Sequence, residues 1–315
     1  MKLTTVVQLQ PSPEEHAALL QTLRTCNAAC DRISRIAFEQ KTFRKFDLHH
    51  LTYHDIRSET DLAAGHVVCA IAKVTNAYKR GADVLRSFDP TGGTEFNKDT
   101  LAWKVEEQTV SVNSVHGRLR LRFLCSPTDK QLLRGKRGQA DLLLRDGHFY
   151  LSVAVRVEET PPFLPEGVIG IDLGIVNIAT DSEGNQYSGE QVKKVRKKCR
   201  RLRKLLQPRK TCSARKHLRK ASKRESRFVK DVNHCISKKL VQLALDRQKA
   251  LACEDLTGIR GRGNGCNRAM RTELNSWAFH QLKQFLAYKC HRAGVTLIEL
   301  DPRYSSQTCY GCGHC

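Results

Sequence analysis

Two short apolar runs that each end in a carboxylate constrain the fold of this chain more than any other feature. Residues 168–174, VIGIDLG, place Asp172 after buried-strand residues, and residues 250–256, ALACEDL, do the same with Glu254. A charge in an apolar strand is costly unless it is paired or binds a metal. Carboxylates at two strand ends therefore predict a divalent-cation site, and Mg²⁺ prefers such hard oxygen ligands. The alternative is that Asp172 caps a turn and Glu254 forms a structural ion pair. Consecutive strand residues point to opposite faces, so we predict Glu254 and not Asp255 as the ligand.

The most basic segment of the chain lies between these two runs. Residues 193–230 contain nineteen Lys or Arg residues and one acidic residue, Glu225. The whole chain has 54 Lys and Arg against 32 Asp and Glu, a net charge of +22. This excess is typical of proteins that bind nucleic acid through its phosphates, although a charge run is often only a solvated surface.

Apolar residues from Val195 to Leu206 keep helical spacing, which predicts an amphipathic helix with a cationic face. The glycine-arginine loop at residues 258–265 is interpreted as a lid over the metal site, with an ordinary loop as the alternative. The cations assigned to nucleic-acid binding are Lys193, Lys194, Arg196, Lys197, Lys198, Arg200, Arg201, Arg203, Lys204, Arg260 and Arg262.

The first half of the chain predicts an antiparallel β-barrel that is interrupted by helices. Residues 2–10 form a predicted strand, and a capping box begins a helix after Ser12. From residue 118 to 123 arginines alternate with apolar residues, so one face of that strand shows three arginines. Asp146-Gly147 is a hairpin turn signal. We assign residues 1–12 and 94–160 to the barrel and residues 13–93 to the helical insertion.

A proline-rich linker at 161–165 precedes the second half. From residue 166 to 308 the pattern is three meandering strands followed by alternating helices and strands, which is typical of an RNase H-like α/β sheet. Cys309 and Cys312 begin a zinc knuckle, but a structural zinc needs four ligands and the second Cys pair is missing from the sequence. We therefore predict an incomplete zinc ribbon at residues 309–315 that binds Zn²⁺ weakly.

The cysteine usage predicts a reducing compartment. The thirteen cysteines are scattered, no secretory signal precedes them, and no apolar run reaches the length of a membrane span. We expect a cytoplasmic protein, nucleoid-associated when it is bound to DNA, with no membrane partner.

Four stretches together resemble the TnpB family of OrfB-type, transposon-associated proteins, which are related to the compact type V CRISPR effectors. They are Gly170–Gly174, Cys253–Leu256, Asn275–Phe279 and Asp301–Cys309. The resemblance is specific over residues 167–315 and looser before them. It implies a RuvC-like nuclease domain, Mg²⁺ as cofactor, and guide RNA and target DNA as partners. It also implies that Asp172 and Glu254 are two of three catalytic carboxylates.

The family's third carboxylate follows a second Cys pair, and the sequence stops before that point. We therefore expect a C-terminally truncated RNA-guided DNA endonuclease whose own activity is small or nil. The alternatives are a nuclease-dead, repressor-like RNA-guided DNA-binding protein, a DNA transposase that performs strand transfer, and a housekeeping RNase H-like enzyme.

Overall fold

The computed structural model describes residues 1–256 and 278–301, and the chain divides into two compact units, Met1–Val157 and Glu158–Cys315. None of the helices within residues 1–256 and 278–301 combines the length and the hydrophobicity of a membrane-spanning segment.

Seven strands form one sheet in the first unit. In chain order they are β1 (Lys2–Gln10), β2 (Thr94–Phe96), β3 (Leu101–Lys104), β4 (Thr109–Ser114), β5 (Gly117–Leu124), β6 (Lys136–Arg145) and β7 (His148–Arg156). Their order in the sheet is β2-β6-β7-β1-β5-β4-β3, and every pair is antiparallel. The predicted barrel is therefore a nearly closed antiparallel sheet, with β2 and β3 at its two edges.

Alternation of apolar and polar residues explains which face of this sheet forms the core. In β7 the apolar side chains of Phe149, Leu151, Val153 and Val155 are all buried, and the residues between them are not. At the predicted hairpin turn Asp146 has φ 50° and the glycine after it has φ 83°, so both residues adopt the left-handed conformation. A two-residue hairpin turn of type I′ requires this conformation, which Asp and Gly tolerate.

Four helices complete the first unit: α1 (Pro13–Glu39), α2 (Lys45–Glu59), α3 (Ala64–Tyr78) and α4 (Pro127–Leu133). The predicted capping box is present, because the Ser12 hydroxyl accepts from the Glu15 amide and the Glu15 carboxylate accepts from the Ser12 amide. The sequence pattern predicted a helical region that contains α2 but did not resolve α2 itself, and it did not predict α4. In α2 only Leu48, Thr52 and Ile56 are buried, so its apolar stripe is too narrow to dominate the sequence pattern.

The second unit contains a five-stranded sheet. Its strands are β8 (Val168–Asp172), β9 (Asn177–Asp181), β10 (Gln186–Ser188), β11 (Ala250–Glu254) and β12 (Leu297–Leu300). They lie in the order β10-β9-β8-β11-β12, where β8, β9 and β10 pair antiparallel and β11 pairs in parallel with β8 and β12. This arrangement is consistent with the predicted three-strand meander followed by alternating helices and strands.

Among the described residues, the helices that accompany this sheet are α5 (Glu190–Leu206), α6 (Cys212–Asp246) and α7 (Phe279–Ala293). One face of the sheet packs on them, with Ile169, Ile171, Leu251 and Cys253 in the same core as apolar residues of α6 and α7. The opposite face carries the residues that alternate with these four. The functional carboxylates predicted from the sequence belong to that opposite face.

The basic run forms two helices with a break between them. α5 ends at Leu206, a short 3₁₀ turn spans Gln207–Arg209, and Lys210 has φ 50°. Pro208 at the break cannot continue the hydrogen-bond ladder of a helix. α6 then packs back against α5. We call α5 and residues 212–230 the cationic hairpin.

Candidate functional site

Asp172 and Glu254 are brought together by the pairing of two parallel strands. β8 and β11 are in register with Ile171 opposite Cys253, so the next residues of the two strands, Asp172 and Glu254, are also neighbours. Paired strands lie about 4.8 Å apart, which places the two backbones within reach of one cation. Both residues terminate their strands at the same carboxyl edge of the sheet. Ligand sites of open α/β sheets commonly lie at such an edge.

The two carboxylates share the open face of the sheet. Ile171 and Cys253 are buried in the core, so strand alternation turns Asp172 and Glu254 to the other side. Asp172 is exposed and Glu254 is half-buried. Gly170 lies on the same face, and no atom lies within 4 Å of the position that a Cβ would take there. The part of this face around Gly170 and Asp172 is therefore accessible to a ligand, whereas Ala250 and Ala252 on β11 are buried.

An open cleft of about 350 Å³ covers this edge. The lining includes Asp172 and Glu254 together with the small or polar residues Gly170, Thr180 and Ser182. The side-chain carboxylate of Asp172 forms no hydrogen bond or ion pair with the residues that the structure describes. Its carboxylate oxygens are therefore available to a cation, which disfavours a turn-capping role for Asp172.

Asp181 also lines the cleft, but its carboxylate is committed to a turn. It is paired with Ile171 across β8 and β9 and is only 4% exposed. Its oxygens accept from the Glu183 amide at 3.1 Å, from the Asn185 amide at 2.9 Å and from the Asn185 side chain at 3.0 Å. These donors hold the β9–β10 turn and leave Asp181 poorly suited to be a third ligand. The sequence pattern does not single out Asp181.

Asp255 differs from Glu254 in its partners. Its carboxylate accepts from the Lys283 ammonium at 2.7 Å, and Lys283 also contacts the Glu299 carboxylate at 2.9 Å. The Asp255 amide donates to the Leu300 carbonyl, which ties β11 to β12. Burial lowers the pKa of Lys283, but the two carboxylates outweigh burial and the pKa lies above its ordinary value. Lys283 thus remains charged and anchors Asp255 as a structural residue.

The pair of carboxylates fits a magnesium ion. Mg²⁺ is usually held by one or two carboxylates, several waters and substrate phosphates, so a site open to solvent with two acidic ligands suits it. Among residues 1–256 and 278–301, no three His, Cys, Asp or Glu side chains are grouped so that they could hold a metal ion. Asp172 and Glu254 are therefore candidate ligands for such an ion.

The cationic hairpin presents its charges to solvent. Among the described residues, Lys194 pairs with Glu190, and Arg203 pairs with Glu225 across the two helices. The cations of α5 without an acidic partner in the described part of the chain are Lys193, Lys197, Lys198, Arg200, Arg201 and Lys204. Unneutralised charges at this density repel one another, and a phosphate backbone relieves that repulsion.

A cavity of about 380 Å³ opens where α5 begins. Lys193, Arg196, Lys197 and Arg200 line one side of it, and Asn233 of α6 lies on the other. The Asn233 amide donates to the Ala278 carbonyl and to the Gln281 side chain, which fixes the start of α7 against α6. Four cationic side chains around one cavity suit a phosphate group.

Four predicted site residues lie outside the described residues. They are Arg260 and Arg262 of the glycine-arginine loop and Cys309 and Cys312 of the incomplete zinc ribbon.

Comparison with known proteins gives two family matches. Residues 152–256 match the model described as "Probable transposase" of the OrfB type, and residues 279–315 match the Cas12f1-like TNB domain. The first segment contains both strand-end carboxylates, Asp172 and Glu254.

Curated relatives agree with these matches. A TnpB-like protein of Methanocaldococcus jannaschii is 38% identical over 96 residues, which cover 30% of this chain and 34% of the relative. The CRISPR-associated endodeoxyribonuclease Cas12f1 of Sulfoacidibacillus thermotolerans is 28% identical over 188 residues, which cover 54% of this chain and 43% of the relative. The matches thus span less than half the length of each of these two relatives.

The fold resembles that of a solved structure described as the cryo-EM structure of a Cas12f1-sgRNA-target DNA complex. The TM-score is 0.68 at 10% identity, with 100% of this chain and 92% of that chain covered. At this identity the likeness shows the fold alone, and the fold of this chain is Cas12f-like.

Proposed function

We propose that this chain, which is a TnpB-type protein, is an RNA-guided DNA endonuclease associated with a transposable element. The observation that carries this proposal is the register of β8 and β11, which places Asp172 and Glu254 side by side on an open sheet face. A RuvC-like nuclease domain would use such a pair for Mg²⁺-dependent phosphodiester hydrolysis.

In this proposal Asp172 and Glu254 hold Mg²⁺ by their carboxylate oxygens. When bound there, the ion would activate water and neutralise charge on the scissile phosphate. Asp172 is exposed and has no described partner, so its carboxylate is free to orient toward a ligand in the cleft. Lys283 and Asp255 fix the end of β11 and thereby the backbone of Glu254.

The cationic hairpin supplies affinity for the backbone of the guide RNA or of the target DNA. Exposed Lys and Arg side chains contact phosphates without reading bases, so they set position and not sequence. Sequence choice would come from base pairing between the guide and the target. The proposed roles of Arg260 and Arg262 as further phosphate contacts, and of Cys309 and Cys312 as weak zinc ligands, are carried by the sequence alone.

A nuclease-dead, RNA-guided DNA-binding protein is the second candidate. It is favoured by the finding that no three side chains among the described residues are grouped so that they could hold a metal ion, since the carboxylate of Asp181 is held by the β9–β10 turn. A DNA transposase is a third candidate, supported by the description of the matching family model. Both candidates would bind nucleic acid as the first one does. The nuclease-dead protein would not hydrolyse phosphodiester bonds, and the transposase would transfer a DNA strand.

Guided cleavage tests the proposal. The protein, purified with its RNA, would be incubated with Mg²⁺ and a library of randomised DNA targets, beside the variants Asp172→Asn and Asp255→Asn. Cleavage that Asp172→Asn abolishes and Asp255→Asn retains would support the nuclease. Guided binding without cleavage would favour the nuclease-dead protein, and strand transfer without guide dependence would favour the transposase.

A further inference from the structure

The cationic hairpin leaves part of its apolar seam uncovered. A groove of about 750 Å³ runs along this seam between α5 and α6. Leu205 stands on its wall and is 65% exposed. The other apolar side chains that line the groove are only half-buried: Val195, Cys199, Leu202, Ala221 and Phe228. Exposed apolar surface of this kind commonly marks a site of interaction. We call this feature the hairpin groove.

The rim of the hairpin groove is positively charged. Four exposed cations line it, two from each helix: Lys198, Arg201, Lys220 and Arg224. Within residues 1–256 and 278–301, these four side chains have no acidic partner. Glu225 also lines the groove, but its carboxylate is bound by Arg203. The groove therefore combines an apolar floor with a rim whose charge is not neutralised.

The shape of the hairpin groove suits one α-helix. Its lining runs from Val195 to Leu205 along α5 and from His217 to Phe228 along α6. At the rise of an α-helix each stretch is about 15 Å long, or about three turns. A concave groove between two helices accepts the convex apolar stripe of a third, whose anchors recur at i, i+3, i+4 and i+7. A flat lipid surface would contact the rim and would not reach the floor.

We propose that the hairpin groove binds an acidic amphipathic helix of a partner protein. The apolar stripe of that helix covers the floor, and the Asp and Glu side chains on its flanks pair with the cations of the rim. Charge complementarity selects this occupant, because the hairpin of a second copy of this chain has the same sign as the rim and is repelled by it. A phosphate backbone would neutralise the rim but leave the apolar floor uncovered.

The acidic helix and nucleic acid compete for part of the rim. Lys198 and Arg201 are also among the cations assigned to phosphate contacts in the proposed function. A helix seated in the groove therefore occupies two of those contacts, and a protein that carries it would lower the affinity for nucleic acid. This inference goes beyond guided cleavage and does not depend on the metal site.

Peptide binding to the full chain, freed of nucleic acid, tests the proposal. The probe is a fluorescent peptide of about five helical turns, with leucines at i, i+3, i+4 and i+7 and glutamates on both flanks. One control peptide has the same composition in a shuffled order, which removes the apolar stripe. A second control keeps the stripe and replaces every glutamate by lysine. Fluorescence anisotropy should show the probe binding about tenfold or more tighter than either control.

A variant of the floor separates the groove from general attraction to a cationic protein. Leu205→Ser shortens a side chain that is already exposed, so the hairpin keeps its fold, which thermal unfolding would verify. Leu164→Ser makes the same change at a position that is 93% exposed and does not line the groove. Leu205→Ser should weaken binding of the probe about fivefold or more, because a buried leucine contact is lost, and Leu164→Ser should change it little.

A variant of the rim tests the charge complementarity. Arg201→Gln/Arg224→Gln should weaken binding of the probe about threefold or more in low salt, and the difference should shrink as KCl screens the charges. Arg24→Gln/Arg35→Gln removes the same charge from exposed positions of α1 and should have little effect. A single-stranded RNA oligonucleotide should displace the probe from the wild type.

Three results would overturn the proposal. Equal affinity for the probe and the shuffled peptide would show that net charge alone attracts them. Unchanged binding of the probe to Leu205→Ser would show that the floor is not used. An equal loss of RNA and peptide affinity in Leu205→Ser would assign the groove to the nucleic-acid interface.

Discussion

Consecutive residues at the end of β11 have different roles because a strand turns each side chain to the opposite face. Glu254 lines the open cleft, whereas Asp255 pairs with Lys283. The exposed ion pairs of this chain, such as Lys194 with Glu190, are worth little in water. Lys283 is only 15% exposed and contacts two carboxylates. Its ion pairs are therefore less exposed to solvent than the pair of Lys194 with Glu190, and they fix the end of β11.

His66 is a second residue whose surroundings determine its chemistry. It is fully buried, one ring nitrogen lies 3.1 Å from the Asn113 carbonyl oxygen, and the Nδ1 atom has no hydrogen-bond partner among the described residues. Burial lowers the pKa of His66, and the hydrogen bond to Asn113 opposes this shift only in part. The folded protein therefore holds His66 neutral.

We predict that His66 makes the protein less stable in mild acid. Its folded-state pKa lies below the unfolded value of about 6.5, so the unfolded state binds the proton more readily. Its contribution to stability is present above pH of about 6.5 and is lost as the pH falls below that value. The melting temperature should fall between pH 7 and pH 5, and less steeply in His66→Gln. His148→Gln, at an exposed position of β7, should leave the slope unchanged; an equal slope in His66→Gln and the wild type would contradict the assignment.

At the scale of elements, the cationic hairpin is held together against the repulsion of its own charges. Apolar residues along α5 and α6 form its seam, and Glu225 is the acidic residue that links the helices through Arg203. Glu225 is 15% exposed, so its charge is shielded from water and acts strongly on the surrounding cations.

Glu225→Gln should loosen the hairpin. Loss of this charge leaves Arg203 unpaired among cations, and amide hydrogen exchange in α5 should accelerate about tenfold in low salt. Glu190→Gln removes an equal charge from an exposed pair within α5 and should change exchange little. Equal protection of α5 in the wild type and in Glu225→Gln would show that the apolar seam alone holds the hairpin.

Elements with strong local signals could be predicted from the sequence, and those fixed by tertiary contacts could not. The capping box at Ser12 and the Asp146-Gly147 turn depend on neighbouring residues, and both occur where they were expected. α2 packs on α3 and buries only a narrow stripe of residues. A stripe this narrow leaves a weak helical pattern in the sequence. In the basic run, the apolar spacing from Val195 to Leu206 ends at the residue where α5 ends, and Pro208 follows at the break.

The candidate site, too, could be predicted from the sequence where it depends on local pattern and not where it depends on tertiary contacts. Strand alternation is a local property, so the sequence could separate Glu254 from Asp255. The register of β8 with β11, which makes Asp172 and Glu254 neighbours, depends on residues about 80 positions apart and had to come from the fold. Asp181 also ends a strand, and only the structure shows that its oxygens are taken by the β9–β10 turn.

At the scale of the whole molecule, the net charge of +22 and the pair of adjacent carboxylates have different roles in the proposed function. In the proposed function the cations attract a polyanion, and the carboxylate pair would hold a metal ion at which a phosphate of that polyanion could react. The resemblance to TnpB-type and Cas12f proteins agrees with this combination. In the proposed function Asp172 and Glu254 share one divalent ion.

Binding of Mn²⁺, a paramagnetic substitute for Mg²⁺, to the nucleic-acid-free protein tests this claim most directly. Electron paramagnetic resonance would count bound ions in the wild type and in Asp172→Asn, Glu254→Gln and Asp255→Asn. We predict one ion that Mg²⁺ displaces, an affinity about tenfold lower in each of the first two variants, and little change in Asp255→Asn. Equal affinity in all four proteins, or a loss confined to Asp255→Asn, would contradict the account.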